Sequence, residues 1–74
     1  MSTLTLYETN NLNGAEYVIF SQYRNNPCPP SITMGKLYTV YYNKDWEEHY
    51  ILNDEGIYSV SGFIVCQNKY FNYN

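Results

Sequence analysis

Apolar and polar positions alternate along most of the chain, and wherever they do so the period is two. Leu4-Thr5-Leu6-Tyr7 alternates and is followed by Thr9 to Gly14, where Asn10, Asn11, Asn13 and Gly14 tolerate the left-handed backbone of a turn. A second alternating run, Glu16 to Gln22, sets Tyr17, Ile19 and Ser21 on one face and Val18, Phe20 and Gln22 on the other. An N-terminal hairpin is therefore predicted over Leu4 to Gln22. Arg24 to Ser31 cannot extend it, because Pro27, Pro29 and Pro30 fix φ and remove three backbone donors. A third strand is predicted over Lys36 to Tyr42, with Tyr38, Val40 and Tyr42 on one face and Leu37, Thr39 and Tyr41 on the other. Asn43 to Glu48 turns the chain, His49 to Asn53 forms a fourth strand, and Asn53-Asp54-Glu55-Gly56 has the composition of a tight hairpin turn. Ile57 to Val60 and Phe63 to Cys66 read as the last strands, and the tail is expected to fray over 71–74.

Composition agrees with that reading. A single Ala among 74 residues, against ten Tyr and many Val, Ile and Thr, disfavours helix and suits a pleated sheet. The prediction is an all-β protein with one domain spanning 1–74, since a chain of this size buries only about 60% of its unfolded surface and cannot build two cores. Much of its apolar area ends in a tyrosine hydroxyl that needs water or a partner, which argues against a deep, dry active-site cavity.

Charge narrows the choice of partner. Seven acidic side chains stand against four basic ones, and Arg24, Lys36, Lys44 and Lys69 are scattered, so the phosphate neutralisation that drives nucleic-acid affinity is missing and direct nucleic-acid binding is disfavoured. Asp45, Glu47, Glu48, Asp54 and Glu55 make the field locally negative. The N-terminus carries neither a basic leader nor a long apolar stretch, and no apolar run would span a bilayer. No membrane partner is expected, the location read is cytoplasmic, and Cys28 and Cys66 read as reduced thiols.

Ile32-Thr33-Met34-Gly35-Lys36-Leu37-Tyr38-Thr39-Val40, then Tyr50-Ile51-Leu52-Asn53-Asp54-Glu55-Gly56, then Phe63, form a pattern covering roughly half the chain. It resembles one common in small SH3-like β-barrel proteins of bacteriophages and mobile elements. The resemblance implies a single small SH3-like barrel carrying an added N-terminal hairpin, an accessory role, and, for a phage-encoded chain, the host cytoplasm. It implies no particular activity, because one small barrel hosts many tasks. The pattern also has its own physical sense: Gly35 can take a backbone conformation closed to other residues, Lys36 can keep its charged head in solvent, and Tyr38 and Val40 share a core-facing side. A second resemblance is to a βγ-crystallin Greek key. It rests on an echo of Thr5-Leu6-Tyr7 and Tyr17-Val18-Ile19 in Thr39-Val40-Tyr41 and Tyr50-Ile51-Leu52, about 34 residues later. Glu48 stands where that motif asks for glycine.

Candidate chemistry is sparse. His49 beside Glu47 and Glu48 can be drawn as an acid/base or metal site, but its ordinary reading is a solvated strand end with no soft ligand nearby. Cys28, between two prolines, reads as a packing group rather than a nucleophile, and Asp54-Glu55-Gly56 is too short for a calcium loop. No catalytic residue, metal ligand or cofactor is assigned. Trp46 is more informative, because an indole in a charged turn either folds back over the barrel end or stands exposed as an interface anchor. Tyr41, Tyr58, Tyr70, Phe71 and Tyr73 could widen that aromatic surface. The function predicted is a non-enzymatic protein-binding module that occludes a larger host protein with a basic surface. Trp46 and Tyr41 form its contact, and Asp45, Glu47, Glu48, Asp54 and Glu55 steer the approach. A single-stranded nucleic-acid module and a crystallin-like structural or calcium-binding domain are the alternatives, and pairing of edge strands between two copies stays open.

Overall fold

A computed structural model describes residues 5–73. Strands β1 (Leu6–Thr9), β2 (Tyr17–Gln22), β3 (Leu37–Thr39), β4 (Tyr41–Asn43), β5 (Glu48–Leu52) and β6 (Tyr58–Ser59) precede a single-turn helix α1 (Ser61–Val65) and a long last strand β7 (Cys66–Tyr73). They form two antiparallel sheets, ordered β1-β7-β2-β3 and β4-β5-β6. The all-β class is as expected, with the two sheets arranged like a small barrel that is not closed.

The core is assembled from both sheets and from the loop between β2 and β3. Alternation along β2 turns Val18 and Phe20 fully inward, where they meet Ile32, Tyr38 from β3 and Ile51 from β5. Met34, Val40, Phe63, Cys66 and Tyr70 pack around these five. Phe20 lies edge-on to Phe63, with ring centroids 5.2 Å apart. The aromatic side chains thus carry much of the packing in a chain too short for a large aliphatic core.

Four expectations are corrected. The N-terminal hairpin does not form, because β7 lies between β1 and β2 and pairs with both: Leu6 faces Tyr73, and Tyr17 faces Phe71. Leu4, its first predicted residue, lies outside the described residues, as does Asn74. The tail expected to fray is therefore a central strand through Tyr73. Its polar residues disguise an amphipathic period in which Cys66 and Tyr70 pack on the core while Gln67 and Lys69 face outward. Phe63 to Val65 is helical rather than extended, an ambiguity inherent in a short apolar run. The turn of helix brings Gly62 so close to Phe20 that a Cβ there would sit 2.8 Å from the ring. The internal echo has no structural counterpart either, since β1 and β2 are separated by β7 while Tyr41 and Tyr50 are direct neighbours.

The predicted strand from Lys36 to Tyr42 is one extended run that changes sheet at Val40. Val40 donates its N–H to the Glu16 carbonyl (2.9 Å), still on the side of the first sheet, and Tyr41 opens the second. Tyr38 and Val40 pack on the core as expected, whereas Tyr42 lies beyond the corner and is exposed.

The two sheets are fastened at Asp54, in the turn after β5. Its Oδ1 accepts from Lys36 Nζ and from the Tyr38 hydroxyl, each at 2.7 Å, and its Oδ2 accepts from Thr33 Oγ1 at 2.7 Å. Tyr38 in turn accepts the Thr33 N–H (2.7 Å), and the Asp54 N–H donates to the Ser31 carbonyl (2.8 Å). Gly35, at φ +81°, lets the chain reverse while its N–H reaches the Phe20 carbonyl at 2.8 Å. Lys36, half exposed, keeps its charged head at the surface as expected, and there it is paired with a carboxylate.

Ile51→Val should cost about 1 kcal/mol, and Gly62→Ala, which must displace a fully buried ring, about 1–3 kcal/mol, both read from urea unfolding midpoints. For Asp54, the hydrogen bonds from Lys36, then Thr33 and Tyr38, hold the carboxyl down at about 2. A depressed carboxyl stabilises the fold above its unfolded value of 3.8 and loses that contribution as pH falls towards 2. Asp54→Asn should melt earlier than the parent at neutral pH, with the gap closing across that acid window. Melting curves that stay parallel from pH 7 to 2 would contradict the clamp.

Candidate functional site

The β4-β5-β6 sheet has one face in the core and one outside it. Ile51 points inward, and its neighbours along β5, Tyr50 and Leu52, must point outward. Register then decides which side chains share the outer face: Tyr41 is opposite Tyr50, and Tyr58 is opposite Leu52. The three tyrosines stack across the strands, with ring centroids 5.4 Å apart for Tyr41 and Tyr50 and 4.3 Å for Tyr50 and Tyr58. Tyr50 is enclosed between the other two. Leu52, exposed and opposite Tyr58, extends the apolar surface.

At one end of this face the Asn43 to Glu48 turn presents Trp46. The Asn43 side-chain oxygen accepts the N–H groups of Asp45 (3.0 Å) and Trp46 (3.4 Å), and Glu47 adopts the left-handed conformation at φ +51° that returns the chain to β5. The indole is 76% exposed, so Trp46 does not plug the barrel end. Between it, Asn43 and Tyr58 lies an open recess of about 340 Å³. The Tyr58 hydroxyl donates to Glu48 Oε2 at 2.5 Å, which raises the Tyr58 pKa because ionisation would place two anions together.

The expected contact residues divide into two groups. Tyr41, Trp46, Asp45, Glu47 and Glu48 lie on this face or in its turn. Asp54 and Glu55 lie at the other end of β5, about 15 Å away by the rise of five extended residues. There Asp54 is held in the clamp, and Glu55 Oε2 accepts from Ser31 Oγ at 2.9 Å. Tyr50 and Asn43 were not singled out from the sequence, although counting back from the turn would have placed Tyr50 opposite Tyr41. Tyr70, Phe71 and Tyr73 belong to the other sheet, where Tyr70 packs on the core and Tyr73 meets Tyr17 edge-on at 5.4 Å.

His49 packs its ring 4.8 Å from that of Tyr42. Among the described residues no three His, Cys, Asp or Glu side chains are grouped to hold a metal ion. Both cysteines are free thiols, Cys28 exposed and Cys66 partly buried. No helix among these residues is long and apolar enough to cross a membrane. Compared with known protein families, curated proteins and solved structures, the chain finds no match.

Thiol reactivity provides a check on this geometry. Burial pushes the Cys66 thiol upward, with a smaller contribution from nearby Cys28, so Cys66 holds less thiolate at neutral pH. Under limiting alkylating reagent Cys28 should be modified first, and Cys66 should react only slowly until denaturant is added. Equal rates in the folded protein would place Cys66 at the surface.

Proposed function

We propose that the chain is a non-enzymatic binding module whose outer β4-β5-β6 face docks on the basic surface of a larger protein and occludes it. The observation that carries this reading is Trp46, largely in solvent beside a three-tyrosine stack. Exposed aromatics with polar tips gain large contact area for little lost freedom and are enriched among residues that dominate binding energy. Asp45, Glu47 and Glu48, against Lys44 alone in the same turn, favour a cationic counterpart. The resemblance to phage and mobile-element proteins makes a host protein in the cytoplasm the natural target. A single-stranded nucleic-acid module is less well supported. Tyr50 has both ring faces covered by its neighbours, which leaves less surface for bases, and the acidic turn repels phosphate.

The test begins with affinity capture from the host and proceeds with variants against the retained protein. Trp46→Ala should weaken binding by more than about 2 kcal/mol while leaving the melting temperature unchanged. Reversing Asp45 and Glu47 to Lys should mainly slow association and flatten its salt dependence. A Trp46→Ala protein that melts early yet binds its partner normally would move the site elsewhere.

A further inference from the structure

We infer that the recess between Trp46 and Tyr58 is a socket for an arginine side chain of the docked protein. The inference rests on the docking role just proposed and assigns the chemical group that this face receives. An indole and a phenol line the recess, with the Asn43 amide between them. Glu48 is tied to the same tyrosine: one of its oxygens accepts the Tyr58 hydroxyl, while the other has no hydrogen-bond partner among the described residues. Nor does Glu48 form an ion pair among those residues, even though Lys44 lies in the same turn. Two other cations of the chain are engaged elsewhere, Lys36 on Asp54 and Arg24 over the Tyr23 ring at 5.1 Å. Glu48 does not itself line the recess, but its bond to Tyr58 sets a carboxylate oxygen without a hydrogen-bond partner beside the aromatic surface.

That combination selects among ligands by charge and by shape. A phosphate or carboxylate group is repelled by Glu48, with Asp45 and Glu47 adding to the repulsion. A cation gains from the ring faces as well as from the carboxylate. Guanidinium suits an open recess better than ammonium, because it is planar, weakly hydrated, able to lie flat on an indole, and still able to direct N–H groups at Glu48. The hydrogen bond from Tyr58 fixes the carboxylate before the ligand arrives, so little ordering is left to do on binding.

Trp46 is the sole tryptophan, so its indole N–H gives one resonance that reports on the socket directly. The full chain is titrated with blocked Gly-Arg-Gly, Gly-Lys-Gly and Gly-citrulline-Gly peptides. The arginine peptide should shift the Trp46 indole and Tyr58 signals saturably, the lysine peptide several-fold more weakly, and the neutral citrulline peptide not at all. Glu48→Gln keeps an acceptor for Tyr58 and should weaken arginine binding about tenfold with the melting temperature unchanged. An arginine response matched by citrulline, unaltered in Glu48→Gln, or absent up to about 10 mM overturns the socket. The captured partner separates this from the docking role. If Tyr41→Ala and Trp46→Ala abolish capture while the arginine peptide leaves the recess unperturbed, the face docks but the socket is wrong. If the peptide fills the recess while capture is indifferent to Trp46, the socket stands and the docking role fails.

Discussion

Side chains from three segments meet on the carboxylate of Asp54. Thr33 comes from the loop after the prolines, Lys36 and Tyr38 come from the entry into β3, and Asp54 itself belongs to the turn between β5 and β6. An open two-sheet structure has few backbone bonds between its layers. A charge-assisted cluster at one corner therefore does what ladder bonds do in a closed barrel. The Tyr38 ring contributes on both counts, since it packs against Phe20 at 5.9 Å while its hydroxyl links Thr33 to Asp54. Each of these side chains would be worth little at a free surface. Held together, they set where the second sheet sits over the first.

The exposed tyrosine face is a consequence of how little the core can hold. Among the described residues five hydrophobic side chains and Pro29 are buried outright, and Tyr38 is the only one of the ten tyrosines among them. The others keep their hydroxyls in solvent or on a polar side chain, as Tyr58 does on Glu48, and on β4, β5 and β6 their rings stack on one another across the strands. The corner at Val40 makes this arrangement possible. Had the run from Lys36 to Tyr42 continued in one sheet, Tyr41 would have stayed beside β2. By changing sheets it comes opposite Tyr50.

The parts of this fold that could be read in the sequence are those set by short-range chemistry. Alternation in β2 put Val18 and Phe20 together on one face, which is the buried one, although both faces carry apolar residues and the period alone does not say which turns inward. Thr33, Gly35, Lys36 and Tyr38 stood out as a pattern, although the reason for the pattern, a shared carboxylate 16 to 21 residues later, is a tertiary fact. For that reason Asp54 looked like one more steering charge. The place of β7 was hidden for a related cause. Its inward residues include Cys66 and Asn68, so hydrophobicity alone shows no core-facing stripe, and two strands close in sequence look like partners although a distant one separates them. On the outer face, Trp46 and Tyr41 were legible as aromatics in or beside a charged turn. The Tyr50 and Tyr58 stack depended on register, which the sequence specifies only after both turns are known.

The acidic stretch from Asp45 to Glu55 shows how one strand can serve two ends. At the end after β5, Asp54 is paired with Lys36 and contributes to cohesion, while Glu55, hydrogen-bonded to the neutral Ser31 hydroxyl, keeps its charge. At the end before β5, Asp45, Glu47 and Glu48 outnumber Lys44, and their negative potential surrounds an exposed indole. The same strand buries Ile51 on one side and carries Tyr50 on the other. Removing a side chain from the outer face therefore takes nothing from the Asp54 cluster and opens no void next to Ile51. The larger group of unpaired acids and the aromatic surface coincide at one end, because at the other end Asp54 is already paired within the fold.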